Sequence, residues 1–196
     1  MSNPRDSRYD ILFEPIRIGP VTAPNRFYQV PHCNGMGRMF PDSMIEMRGM
    51  KAEGGWGIVT TEQCDFHPTG DVQPFTETRM WDDADLPYLA AMVDAVHAHG
   101  ALAGIELVHN GQDSGCLYSR EVPIGPEHRP VTWHQHPIQA RAMSRSDIRD
   151  YRRWHRKAVL RARQAGFDMV VVYAGHNGTV PSHFLSRESN QRSDEY

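Results

Sequence analysis

The stretch Ala165-Gly166-Phe167-Asp168-Met169-Val170-Val171-Val172-Tyr173 decides the fold: a helix end, a glycine stop and an apolar strand follow one another without a linker. Upstream, Ser144 and Asp147 have the spacing of a capping box, so the helix is expected from there to about Ala165, with Gly166 ending it. The near-continuous apolar run 167–173 predicts a strand buried on both faces. The same phrase occurs earlier as Glu53-Gly54-Gly55-Trp56 and as His99-Gly100-Ala101. Alternating helices and strands imply a parallel sheet, either closing as a barrel or doubly wound.

Working outward, Asn25 to Cys33 reads as the first core strand, at 26–32, with Pro31 stopping the ladder and Gly35 and Gly37 opening a loop. Residues 11–24 mix apolar residues with Pro and Gly, which suits a short hairpin or a plug at one end of the domain. Asp42-Ser43 is a plausible cap for a helix carrying Met44, Ile45, Met47 and Met50, followed by a strand from Trp56 to Thr61 that finishes in Glu62-Gln63-Cys64. Asp83 or Asp85 can cap a helix with Leu86, Leu89, Val93 and Val96 on one face, and Ala101 to Val108 follows as a strand. No Gly-x-Gly-x-x-Gly follows the first strand, which weighs against a dinucleotide-binding layer. Polar residues collect at the strand ends instead: His32 and Cys33, Glu62 and Gln63, Glu106 and His109, Tyr173 and His176. That is the active face of a TIM (β/α)8-type barrel. About four βα units are present, so residues 1–196 are expected to be the first half of a barrel, an incomplete domain.

The net charge of -3 gives no electrostatic reason to expect nucleic acid or an anionic membrane as partner. No run approaches the roughly 20 apolar residues of a membrane span, and Met1 to Asp10 lacks the apolar core of a signal peptide, so a cytoplasmic location is expected. Cys33, Cys64 and Cys116 are widely spaced and form no Cys-x-x-Cys pair, which predicts reduced thiols rather than disulfides or a zinc knuckle.

Cys33 reads either as a nucleophile or covalent attachment point, or as a small buried hydrophobe. His32 is its neighbour, but strand alternation would point the two to opposite faces. Tyr173 and His176 suit proton transfer or substrate orientation, and equally suit packing and loop capping. Glu106 sits inside an apolar strand with no partner nearby in sequence, which leaves a ligand N–H or a distant Arg to satisfy it. His134-Gln135-His136 has alternate spacing but lies in the long segment 110–143, expected to be a lid or rim, so no metal site is expected.

Taken together, Asp10 to Pro15, Asn25 to Gly35, Lys51 to Trp56, Ala103 to Leu107 and Asn190 to Tyr196 resemble the N-terminal part of an old yellow enzyme-type FMN barrel. Within that family the chain is similar to the dimethylamine and trimethylamine dehydrogenases. The resemblance implies FMN as cofactor, joined covalently through Cys33 to C6 of the flavin, with Pro31, Gln63 and Glu106 at flavin-facing or pocket positions. It implies Tyr173 and His176 as the catalytic pair. Gln63, where the trimethylamine enzyme has tyrosine, implies a secondary ammonium whose N–H groups its carbonyl accepts, although histamine dehydrogenase-like enzymes share the glutamine, so the amine stays open; Tyr173 also borders the substrate. The activity implied is oxidative N-demethylation of a small amine to a smaller amine and an aldehyde, with an electron-transfer protein as acceptor and a homodimer as the assembly. The family continues beyond Tyr196 with the second barrel half, an iron-sulfur cluster and two nucleotide-binding-like domains, so residues 1–196 alone are expected to be inactive. An NAD(P)H-dependent ene-reductase and a non-catalytic half-barrel module are the alternatives.

Overall fold

The computed structural model describes residues 6–72, 77–131 and 137–196. A short antiparallel hairpin, β1 (Ile16–Ile18) and β2 (Val21–Ala23), precedes the core. Next to it, Phe13, Phe27 and Trp56 meet edge to face, with centroids 5.0 and 6.5 Å apart, at the amino end of the main sheet.

That sheet contains β3 (Tyr28–Gln29), β4 (Ile58–Asp65), β6 (Leu102–Val108) and β10 (Met169–Val172), neighbours in the order they occur in the chain and all parallel. A short strand, β5 (Thr78–Arg79), adds to the carboxyl end of β4. The crossovers are α1 (Pro41–Glu53), α2 (Leu86–His97) and α3 (Arg145–Gln164). α1 packs on α2 and α2 on α3, so the helices share one face. The strand order never reverses among the described residues, which removes the switch-point crevice of a doubly wound layer. The helix face is apolar: Ala103, Ile105 and Leu107 pack with Leu89, Val93 and Val96. Alternation along β6 then sends Glu106 to the opposite face.

The expected elements are present with four corrections. The first strand is two residues long rather than 26–32, because Pro31 has no N–H and the His32 carbonyl accepts from Arg48 Nη2 at 2.7 Å instead of from a neighbouring strand. α1 starts at Pro41, with no side-chain cap from Asp42 or Ser43. Asp82 caps the 3₁₀ turn leading into α2, accepting from the Ala84 N–H at 2.8 Å. β10 is not buried on both faces: β6 is its one described neighbour, and Val172 is 66% exposed. The Ser144–Asp147 capping box is present, and Gly166 ends its helix at φ +95°.

The long segment after β6 holds a small second sheet in which β9 (Gln139–Ala142) pairs with β7 (Ile124–Gly125) and β8 (Arg129–Pro130). His134 and His136 lie outside the described residues. A last helix, α4 (Val180–Leu185), follows β10. No helix among the described residues is long and apolar enough to cross a membrane.

Candidate active site

A cavity of about 540 Å³ opens at the carboxyl ends of the parallel strands. Pro31 and Cys33 enter from the loop after β3, Gln63 from β4, Glu106 from β6, and Tyr173 and His176 from the turn after β10. All six residues singled out in the sequence therefore line one space.

Gln63 reaches the cavity because β4 is irregular. Thr60 pairs with Gly104 and Gln63 with Glu106, so β4 has one residue more than β6 between these points. The bulge turns Gln63 to the same face as Glu106, where simple alternation from Thr60 would have sent it to the helices.

Glu106 is 6% exposed, and burial pushes its carboxyl up to about 7. The Cys33 thiol lies with carboxyl oxygens of Glu62 and Glu77, these ligand atoms all within 4.8 Å of one another. Although Cys33 is open to solvent at the cavity wall, the surrounding protein and then the charge of Glu77 push the thiol up to about 12, while the Gln63 main-chain N–H acts the other way. Glu77 is itself pushed up to about 7, by burial and by Glu62. At neutral pH Cys33 is a thiol in the free chain.

Tyr173 Oη and His176 Nδ1 are hydrogen-bonded. Two backbone features bring them together. His176 and Asn177 adopt left-handed conformations, φ 56° and 53°, and a side chain on Gly175 would lie 2.6 Å from Tyr173 Oη. Burial, followed by Glu106 and Cys33, raises the Tyr173 phenol above its usual value.

Other strand-end residues go elsewhere. Glu62 is fully buried, accepting from the Asn34 N–H at 3.0 Å and Thr78 Oγ1 at 2.9 Å. His109 is buried too, its Nδ1 accepting from the Gly111 N–H at 3.0 Å and its Nε2 lying 2.9 Å from Thr69 Oγ1. His32 does not oppose Cys33, since both line the cavity where the chain is no longer a strand. Sequence reasoning missed three contributors. Asn110 and Thr179 line the cavity, and Arg48, fully buried, holds the Cys33 loop through Gln29 Oε1 at 2.9 Å and the His32 carbonyl. Arg48 falls on the apolar stripe of α1, and a buried cation there was the available signal.

Parallel strands deliver a thiol, an amide, a carboxyl, a phenol and an imidazole to one cavity at their carboxyl ends, the end at which α/β enzymes of parallel-strand architecture carry their active sites. The chain belongs to the NADH:flavin oxidoreductase / NADH oxidase family, whose model matches residues 11–196, and its relatives are FMN-dependent oxidoreductases that include amine dehydrogenases. It is similar to dimethylamine dehydrogenase of Hyphomicrobium sp. (strain x), 43% identical over 98% of this chain and 27% of the relative. The structure of histamine dehydrogenase from Rhizobium sp. 4-9 superposes with a TM-score of 0.95 at 50% identity, over 98% of this chain and 30% of that one. An old yellow enzyme homologue from Zymomonas mobilis gives 0.81 at 28% identity, over 94% of this chain and 54% of that one. These neighbours are TIM-barrel proteins. The chain thus spans between about a quarter and about half of the length of these relatives.

The residues present fit FMN. The cavity is of cofactor size, and Glu106 offers it a buried carboxyl for which no hydrogen-bonding side chain is found among the described residues.

Proposed function

We propose that residues 1–196 are the N-terminal half of an FMN-binding barrel in an enzyme that oxidatively N-demethylates a small, dimethylamine-like amine to a smaller amine and an aldehyde. The observation that carries this reading is the convergence of Pro31, Cys33, Gln63, Glu106, Tyr173 and His176 on one cavity.

Glu106, when ionised, would accept from the N–H of the flavin's pyrimidine ring, and Cys33 is the proposed covalent attachment point at flavin C6. FMN, when bound, supplies the two-electron acceptor for cleavage of a C–H bond at the amine's N-methyl carbon. Gln63 would take the substrate's N–H groups on its carbonyl, while the carboxyls around the cavity favour a cation over a neutral alkene. The Tyr173–His176 pair holds one proton between phenol and imidazole and would exchange it with the amine. Water then hydrolyses the iminium product. The second barrel half, an iron-sulfur cluster, an electron-transfer partner and a homodimer belong to the same proposal.

The test is an intact mass under denaturing conditions of the protein that carries this chain together with the proposed second barrel half, expressed with FMN, beside its Cys33→Ala variant. A gain of one FMN, less the two hydrogens (one from sulfur, one from C6) that pass with their electrons to dioxygen as the thioether forms, should appear in the first and vanish in the second. Flavin released on denaturation of both would remove the covalent assignment. The likeness to an old yellow enzyme homologue favours a second reading, an NAD(P)H-dependent ene-reductase. Bleaching of bound flavin by NADPH but not by dimethylamine would select it.

A further inference from the structure

The cavity's two amide side chains share one anchor. Asp65, at the carboxyl end of β4, is 3% exposed, and its Oδ1 accepts from Gln63 Nε2 at 3.3 Å and from Asn110 Nδ2 at 3.4 Å. Asn110 Nδ2 also donates to the Gly70 carbonyl at 3.3 Å. A main-chain carbonyl only accepts, so this contact fixes which end of the Asn110 amide is the NH2 group. Gln63 turns its NH2 to the same carboxyl oxygen, and the Val72 N–H donates to that carboxyl as well. An amide is planar and two-ended, so a nitrogen held on Asp65 directs the oxygen away from it. Both residues line the cavity.

We propose that Asp65 is a positioning residue that pins the Gln63 and Asn110 amides by their nitrogens, presenting both carbonyls to the cavity and selecting ammonium ions that carry two N–H donors over fully methylated ones. The proposal rests on the amine reading above and extends it from Gln63 to a pair of acceptors with a common support. A primary or secondary ammonium satisfies both oxygens. A quaternary ammonium satisfies neither and leaves two desolvated acceptors unpaired, which is a strong basis for rejection. The orientation does not depend on the ionisation of Asp65, because Oδ1 accepts whether or not the other oxygen carries a proton.

The test compares dimethylammonium with tetramethylammonium by titration calorimetry on the FMN-loaded protein that carries this chain together with the proposed second barrel half. Asp65→Asn leaves one side-chain oxygen where the Val72 N–H and the amide pair had two, and puts an NH2 group in place of the other, so the hold on the amides weakens and a carbonyl is free to turn inward. The preference for dimethylammonium should fall about tenfold, the size of one charge-assisted hydrogen bond, with tetramethylammonium affinity unchanged. Gln63→Met, which leaves Asp65 in place, should lower the preference similarly, and adding Asp65→Asn to it should cost less than in the unsubstituted chain. Equal loss of both cations in Asp65→Asn, or an unchanged preference in Gln63→Met, would overturn the proposal. So would rapid solvent exchange of the Gln63 and Asn110 side-chain amide protons in the unsubstituted chain, a measurement that does not require any variant to fold. Failure of the unsubstituted chain to bind either cation would instead remove the amine reading, and this proposal with it.

Discussion

Cys33 sits among acids, and that neighbourhood sets its reactivity before any cofactor arrives. The charge of Glu77 works against the thiolate, so Glu77→Gln should lower the thiol pKa and move the pH profile of Cys33 alkylation by iodoacetamide to lower pH. The gain below the thiol pKa is on the order of tenfold for each unit of movement. An unmoved profile would mean that Glu77 does not act on the sulfur. Glu106 makes a second prediction. Its carboxyl, pushed up to about 7 by burial, accepts a flavin N–H through either form but more strongly as the carboxylate, so FMN affinity should rise with pH through about 7. Glu106→Gln keeps a carbonyl acceptor without a titration and should bind FMN with nearly flat pH dependence. Fluorescence-quenching titrations at pH 6 and 8 decide between the two behaviours. These residues were legible as strand-end polar groups, whereas Arg48 and Asp65 were not, because what matters in them is a long-range contact.

At the level of elements, the bulge in β4 and the glycine opposite it belong together. A Cβ on Gly104 would lie 2.8 Å from Thr60 Oγ1, a buried oxygen with no hydrogen-bond partner among the described residues. Gly104→Ala should therefore destabilise the chain by about 1–3 kcal/mol, and Thr60→Ala should recover most of that loss. Chemical denaturation of the two single variants and the double variant measures it, and simple additivity would count against the clash. The helix signals were readable because they are local: a Ser, an Asp three residues on and a terminal Gly act within one turn of backbone. Ser144→Ala should cost about 1 kcal/mol by the same measurement. The short first strand was not readable, because its end is set by Arg48, from α1, taking the carbonyl of His32.

For the whole molecule, buried titratable groups give stability two opposite dependences on pH. His109 and His67 are held neutral by burial, pushed down to about 3 and about 4, and His155 is lowered as well. Their folded values lie below the unfolded value of about 6.5, so stability is intact above that pH and is lost as pH falls toward the folded values. For His109 alone the loss is on the order of a few kcal/mol. Glu106 and Glu77 are raised to about 7, so their contribution is present below about 4.5 and is lost as pH rises through 7. Urea midpoints between pH 4 and 8 should accordingly show Glu106→Gln flattening the loss on the neutral side while leaving the acid-side loss unchanged. An unaltered neutral side would place Glu106 in a more solvated setting than its burial implies.

By itself the sequence determined the alternating helix and strand units, the capped and glycine-stopped helix ends and the clustering of reactive side chains at strand ends, because each is written in residues close together along the chain. Only the tertiary structure decided which of those side chains share a cavity. A one-residue bulge turned Gln63 inward, left-handed backbone at His176 and Asn177 brought the imidazole to the phenol, and burial withdrew Glu62 and His109 from the cavity. The physical reason is that a side chain's facing and partners depend on strand register and on groups contributed by distant segments, and neither is encoded in local spacing.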